Sequence, residues 1–367
     1  MDFSTLQGLT IPEGVVTQIA KDGVVLWKLE TSKPVILEVE KFTANTYAGE
    51  TTYENEEFIL LDIYPKTNGT VNVTYGGLTK TITDTSGVEE PNAQQVFFGT
   101  FKGVSDSVAT PTSGTLTIEG DCDGFGRGNY STSSKFSNLG VYRGIKAITS
   151  FGSQTKIANN AFQDNPITSV VIPSTIKDIG ANSFMRTSLE SLVIENGVKN
   201  IYARAFAGTN LKNVVIPKSV VSIGNNPFQV KGNNIISVDS ENEFYKIDEN
   251  CLIEIATNKI VSAFADSIIP TYVTEIGGNA FTGQNSFTSF TIPSQITHIG
   301  DSAFWIAGLV NITVLATTPP TIGETIFFTP SSSNLITIEV PKGCLDVYKS
   351  AWSYYASNNY VTFVEAS

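Results

Sequence analysis

A lone imidazole, His298 in "ITHIG", is the only histidine of this 367-residue chain. An imidazole can act as a general base towards a nucleophile, or as one ligand of a metal. A Ser-His-Asp arrangement or a zinc centre of several histidines would have to be built around this one ring. Its surroundings argue for something plainer, because "ITHIG" is one copy of a motif that recurs along the chain. The three cysteines, Cys122, Cys251 and Cys344, lie far apart and form no CxxC pair. That spacing suits neither a metal–thiolate site nor a disulfide framework, and they read as small, unreactive thiols. The stretch "GDCDGFGRGN" (120–129) offers two carboxylates, Asp121 and Asp123, among glycines. No strand–helix context surrounds it, as a phosphate-cradling loop would need. The twelfth position of a calcium loop begun at Asp121 is Thr132, which carries no carboxylate. A glycine-rich turn is the preferred reading. Glu54, Glu56 and Glu57 read as solvated loop charge. These groups build no catalytic constellation, so the chain is read as non-enzymatic, with no catalytic, cofactor-binding or metal-binding residue and no cofactor.

The elements that would have to position such groups are strands and turns. Only 16% of residues are charged, and Thr, Ser, Asn and Gly are plentiful. That mixture favours β structure over helix. A net charge of −12 and a pI near 4.6 argue against nucleic acid as a partner. The same charge disfavours anionic membrane surfaces. No apolar run approaches the length of a membrane span, so no membrane insertion is expected. The start, "MDFSTLQGLTIPEG", has no basic residues, no long apolar run and no cleavage site. The chain is therefore expected to be intracellular when made or to have lost an export signal.

Three stretches repeat one statement: "VVIPSTIKDIGANSF" from Val170, "VVIPKSVVSIGNNPF" from Val214 and "FTIPSQITHIGDSAF" from Phe290. Phe162, Phe184, Phe206 and Phe228 are 22 residues apart, and Phe281, Phe304 and Phe327 are 23 apart. Pro173, Pro217, Pro270 and Pro293 each precede a ruler Phe by 11. Such a period marks a solenoid, in which stacked units share one continuous core. Within a unit, "VVI" is a short strand with its first and third residues pointing inward. Pro ends the strand at a corner, "IKDIG" is a second short extended run, and Gly180 suits a turn. "ANSF" is a tight turn that drops Phe184 into the core, so the rings should form a spine. Tyr202 and Ala158 stand at the Gly position, and Glu195, Asp239 and Leu315 at the Pro position. These coils are expected to have looser corners. The gap from Phe228 to Phe281 is 53 residues. Residues 240–264 are expected to leave the solenoid there as a hairpin insertion.

The pattern L-x-x-V-x-I-P-x-S-V-x-x-I-G-x-x-A-F resembles the BspA-like, or Treponema-type, leucine-rich repeat family over residues 146–342, in seven in-phase copies. The resemblance implies a right-handed solenoid with a parallel sheet on its concave face and few short helical turns, of a kind found mostly in bacterial surface proteins. The cysteine often seen just after the Phe in that family is lacking here. Residues 343–367, "GCLDVYKSAWSYYASNNYVTFVEAS", resemble the closing segment of such arrays. A helix near Leu345–Ala356 and a last strand at Tyr360–Val364 should cap the open core.

The front half of the chain reads differently. Residues 33–87 alternate as β segments broken by Asn-Gly and Gly-Gly turns, which suits a small immunoglobulin-like or PEGA-like sandwich. Residues 88–145 are rich in Gly, Ser and Thr and are expected to form a second β unit or a cap on the first coil. Residues 1–32 form an N-terminal attachment segment that resembles tail-associated proteins of phages and prophages of gut Firmicutes. The fold class expected is thus mainly β, with sandwich-like domains in front of the solenoid.

Alternation along the "VVI" strands picks out two outward rows. One holds Val171, Val193, Val215, Ser237, Ile268, Thr291, Thr313 and Glu339. The other holds Ser169, Ser191, Asn213, Ile235, Asp266, Ser289, Asn311 and Thr337. Val and Thr are also simply good strand formers. The reading adopted is a non-catalytic surface-exposed binding protein, with these rows as its contact face. Its partners would be a host or bacterial surface protein or glycan, and other virion proteins through residues 1–32. Its setting would be a phage or prophage tail that attaches to a host, or else a bacterial cell surface. A purely structural virion role is the remaining alternative.

Overall fold

The computed structural model describes residues 19–21, 24–27, 34–39, 42–43, 57–65, 69–83, 94–101, 104–105, 114–120, 122–126, 145–229, 235–283, 287–306, 308–327 and 335–367. Glu54, Glu56, Asp121 and Thr132 lie outside them, as does most of the attachment segment. Within that segment, Ile19–Lys21 and Val24–Trp27 pair as a hairpin.

Each coil of the array lays down two short parallel strands. The first set includes Ser169–Ile172, Ser191–Ile194, Asn213–Ile216, Ser289–Ile292 and Asn311–Val314. The second set includes Asp178–Ile179, Asn200–Ile201, Ser222–Ile223, Glu275–Ile276 and His298–Ile299. In the first set Val170 and Ile172 are buried while Ser169 and Val171 are exposed, as a two-residue period demands. The seven ruler phenylalanines are buried as expected, in two stacked runs. Ring centroids are 5.0 Å apart from Phe162 to Phe184, and 5.4 Å from Phe184 to Phe206 and from Phe206 to Phe228.

The corner before each Phe has a backbone cause that the period alone did not reveal. The residue two before the ring is left-handed in every coil: Asn160, Asn182, Arg204, Asn226, Asn279, Ser302 and Thr325 all have positive φ. Asn tolerates that conformation best after Gly. The twist aims alternate amides at the next coil. Asn182, Phe184 and Arg186 donate to the carbonyls of Ala203, Ala205 and Ala207 at 2.7–3.1 Å.

Two corner expectations need correction. Gly180 is not needed for its conformational freedom. A Cβ there would lie 2.6 Å from the Ile157 carbonyl oxygen, so the glycine lets adjacent coils approach. The coils without Pro are not looser. Glu195, Asp239 and Leu315 donate backbone N–H bonds of 2.9–3.0 Å to Ile172, Ile216 and Ile292, bonds that a Pro cannot make.

Residues 240–264 do contain a hairpin, Tyr245–Asp248 with Cys251–Glu254, but the core keeps it. Cys251–Glu254 pairs antiparallel with Lys259–Ala263, which pairs parallel with Glu275–Ile276. Cys251, Leu252 and Ile253 are all fully buried. Leu252 and Val261 pack into the first core, and Cys251, Ile253 and Ile260 into the second. The insertion is therefore a septum between two half-arrays. Ile268 and Ile269 lie outside any strand, so Ile269 does not continue the sheet of Ile235–Val238.

In front of the array, strands from both sides of residue 87 share each sheet. Val35–Val39 pairs with Gly114–Gly120, and Glu57–Pro65 pairs with Gln94–Phe101. The stretch expected to be a glycine-rich turn runs instead as the strand Cys122–Gly126 against Glu57–Pro65, with a bulge after Cys122. Ile145–Phe151 joins the two parts. It pairs antiparallel with Val35–Val39 and lies beside Ser169–Ile172, while Cys122–Gly126 lies beside Lys156–Ile157. Leu37, Val73 and Phe98 belong to the same core as Phe162 and Phe206.

At the far end, α1 (Leu345–Ala351) and α2 (Ser353–Ala356) cover the open core with Tyr348, Trp352 and Tyr355, all buried. Each polar tip is satisfied. Tyr348 donates to the Ala316 carbonyl, Trp352 donates to the Pro320 carbonyl, and the Tyr355 oxygen accepts from the Phe327 amide. Val361–Glu365 then adds a further parallel rung beside Ile336–Val340.

Candidate functional site

The outward face of the first strand set is where the two rows lie. Val171 stands opposite Val193, Val215 opposite Ser237, Thr291 opposite Thr313, and Thr313 opposite Glu339. In the second row Ser169 stands opposite Ser191, Asn213 opposite Ile235, Ser289 opposite Asn311, and Asn311 opposite Thr337. One expected neighbourhood differs. Ser191–Ile194 and Asn213–Ile216 are adjacent but belong to separate two-stranded ladders, so Val193 and Val215 share no pairing register. Asp266 and Ile268 also fall outside the ladders. Asp266 is left-handed, and the Ile268 amide bonds to the Glu249 carbonyl of the septum.

Val171, Val193 and Val215 are 54%, 50% and 56% exposed, and Ile268 is 64% exposed. For branched apolar side chains this is high, and the three valines make a stripe on the first half-array. Ser169, Ser191 and Asn213 flank it, also exposed. The second half-array presents hydroxyls and amides instead. Ser289, Thr291 and Asn311 are exposed, while Thr313 is half-buried and donates to Glu339 at 3.2 Å. Ser237, also half-buried, donates to the Val214 carbonyl. Period counting left out two residues that continue the rows. Thr149 lies 22 before Val171, and Val364 stands opposite Glu339. A second apolar group was not legible at all. Phe244 and Ile255 are exposed at the edge of the septum, joined by the bond from the Ile255 amide to the Phe244 carbonyl. They fall inside the insertion, where the period gives no phase.

The titratable groups are structural. Burial pushes the Cys251 thiol up to about 12, so it stays protonated and unreactive. Burial also raises Tyr272, whose hydroxyl donates to Asp248 at 2.6 Å, and Lys246 lies 4.3 Å above that ring. Arg186 grips Asp164 with two bonds of 2.6 and 2.8 Å. Lys212–Glu190 and Lys218–Glu241 link neighbouring coils at the surface. His298 sits in the second strand set, its Nδ1 2.9 Å from the Thr321 hydroxyl. Among the described residues no three His, Cys, Asp or Glu side chains are grouped to hold a metal. No helix among them is long and apolar enough to cross a membrane. The face is suited to contact rather than to chemistry: a firm sheet with branched methyl groups and short polar side chains.

Stacked parallel coils with two strands each, a buried Phe spine and an outward strand face define a leucine-rich-repeat solenoid. The family model for the BspA type leucine rich repeat region matches residues 155–263 and 259–366, in six copies. This chain belongs to that family. Solved structures similar to it include a leucine rich cell surface protein from Faecalibacterium prausnitzii, 21% identical over 58% of this chain and 64% of that one, with a TM-score of 0.43. A leucine-rich repeat protein from Eubacterium ventriosum is 20% identical over 52% of this chain and 67% of that one, TM-score 0.39. The pneumococcal vaccine antigen PcpA is 16% identical over 58% of this chain and 71% of that one, TM-score 0.34. Comparison with curated proteins returned no match.

Proposed function

We propose that this protein is a non-catalytic surface-binding protein whose contact face is the outward side of the first strand set, centred on Val171, Val193 and Val215. The carrying observation is that these three valines are about half exposed on three neighbouring strands. Exposed apolar patches of this kind commonly mark docking surfaces. None of the row residues is aromatic. Pyranose faces pack on aromatic rings, so branched methyls favour a protein surface over a glycan. The net charge of −12 likewise disfavours anionic wall polymers.

The decisive variant is Val193→Lys with Val215→Lys. It places two charges where a partner would have to desolvate them. Val221→Lys, on an exposed valine outside the rows, is the matched control. Attachment to host cells or to purified surface protein is the readout. The double variant should stay folded and attach poorly while the control attaches like the parent. Unchanged attachment by a folded double variant would move the contact to the N-terminal β unit or leave a structural role.

The setting follows a second, separate line of support. The likeness of residues 1–32 to tail-associated segments favours a virion that attaches to its host, with that segment holding other virion proteins. Genes for tail and lysis proteins beside this one would support it. Sortase or secretion genes would favour a bacterial cell-surface adhesin instead.

A further inference from the structure

Ordinary coil interfaces in the first half-array are held in three ways at once. Between the coils of Phe184 and Phe206, Asp178–Ile179 pairs with Asn200–Ile201, three corner amides donate forward, and the rings stack. The plane between Ser222–Ile223 and the septum is built differently. The second strand ladder of the first half ends at Ser222–Ile223, and a different sheet begins at Tyr245–Asp248. Where a backbone carbonyl would accept, the Ile223 amide donates to the Tyr245 phenol oxygen at 2.8 Å. At the corner, the Asn226 amide donates forward, to Val261 at 3.2 Å. The Asn226 side chain reaches across to the Asn279 carbonyl at 2.6 Å. Phe228 belongs to one core and Phe281 to the other.

Two further observations concern the same plane. The buried side-chain oxygen of Asn226 has no hydrogen-bond partner, as also holds for Ser183 inside the first half and for Ser262 and Ser267. The chain crosses the plane through Asn242, which is tied to the first half by bonds from its Nδ2 to the Pro217 and Val220 carbonyls. The septum, by contrast, is tied to the second half through the pairing of Lys259–Ala263 with Glu275–Ile276.

We propose that the array opens at this plane, with a hinge at residues 242–245. The body from Tyr245 onward moves as one unit, carrying the septum with it. What opposes opening is the burial of Tyr245, Leu252, Val261 and Phe264 against the first core, the hydrogen bonds named above, a long one from Asn226 to the Thr282 carbonyl, and the Phe244 and Tyr245 amides donating to the Asn242 side-chain oxygen. The valine stripe rides on one body and the hydroxyl rows on the other, so opening changes how the two are presented together. The inference does not depend on what the faces bind.

Hydrogen exchange of the full chain in sub-denaturing guanidinium, read by mass spectrometry, tests it. Peptides covering 218–229 and 242–248 should exchange at concentrations where peptides from 176–206 and 292–316 remain protected. Exchange of all four in one transition overturns the proposal. Asn226→Gly keeps the left-handed corner but deletes the side-chain tie. It should speed exchange at the joint about tenfold and leave 176–206 within about twofold of the parent, as expected of a sub-global opening. Asn182→Gly, the same change inside the first half, should not act selectively on the joint. If Asn226→Gly speeds every peptide alike, or none, no hinge exists at this plane.

Discussion

The two half-arrays use one recipe with different side chains. In the first, neighbouring Phe rings stack close to parallel, with interplanar angles of 25°, 9° and 4°. In the second the angles are 18° and 28°, and the Phe304–Phe327 separation grows to 5.8 Å. The layer beside the spine also differs, at Phe290. The first inward strand residue is Val170, Leu192 or Val214 in the first half, but a Phe there wedges its ring 4.9 Å from both Phe281 and Phe304. The Phe281–Phe304 pair that Phe290 touches still stacks, at 5.1 Å and 18°. One outward row diverges as well, with Val171, Val193 and Val215 in the first half and Thr291 and Thr313 in the second.

The comparison can be broken most forcefully through the spine. Phe206→Ala should cost about 3–5 kcal/mol, because its stacked neighbours cannot relax into the cavity. Phe304→Ala should cost less, by about 1 kcal/mol, since Phe290 already leans on the same space. Equal losses in chemical denaturation would show that the wedge does not matter. Next come the septum residues Leu252→Ala and Ile253→Ala, each expected to cost about 2–5 kcal/mol. They are sequence neighbours on opposite sides, so Leu252→Ala should loosen exchange in the first half and Ile253→Ala in the second. A smaller effect of opposite sign is expected at the corners. Thr325 is β-branched and left-handed, with φ of 43°. Thr325→Asn should stabilise by about 1 kcal/mol, seen as a raised Tm. The smallest effect is at the outward face, where Val193→Lys should change stability by no more than about 0.5 kcal/mol.

Much of the array was legible because its constraints repeat. Phase fixed the Phe spine and the inward and outward rows except at Asp266 and Ile268, since a buried ring or an alternating strand leaves the same letters each time, and the closing helix was read from the likeness of the end segment. What phase cannot carry is the reason for a letter. Gly180 looked like a turn residue and is a spacer between backbones. Glu195 looked like a lapse from Pro and supplies a hydrogen bond. The septum was misread because nothing in "YKIDENCLIEIATNKIVSA" distinguishes a strand buried on both faces from a hairpin in water until both neighbours are known. The sharing of sheets across residue 87 was hidden for the same reason: strand partners far apart in sequence leave no local signal.

The strand Ile145–Phe151 has a consequence for how such a protein can be inherited. It is at once the last rung of the front unit and the first rung of the array. Recombination at 145/146 would hand one descendant an unpaired Val35–Val39 edge and the other an uncovered first coil. The front unit and the first coil are therefore expected to be inherited together. Exchange between relatives would more safely fall elsewhere, by adding or removing whole coils between Phe162 and Phe206, where each cut meets a surface like the one it left.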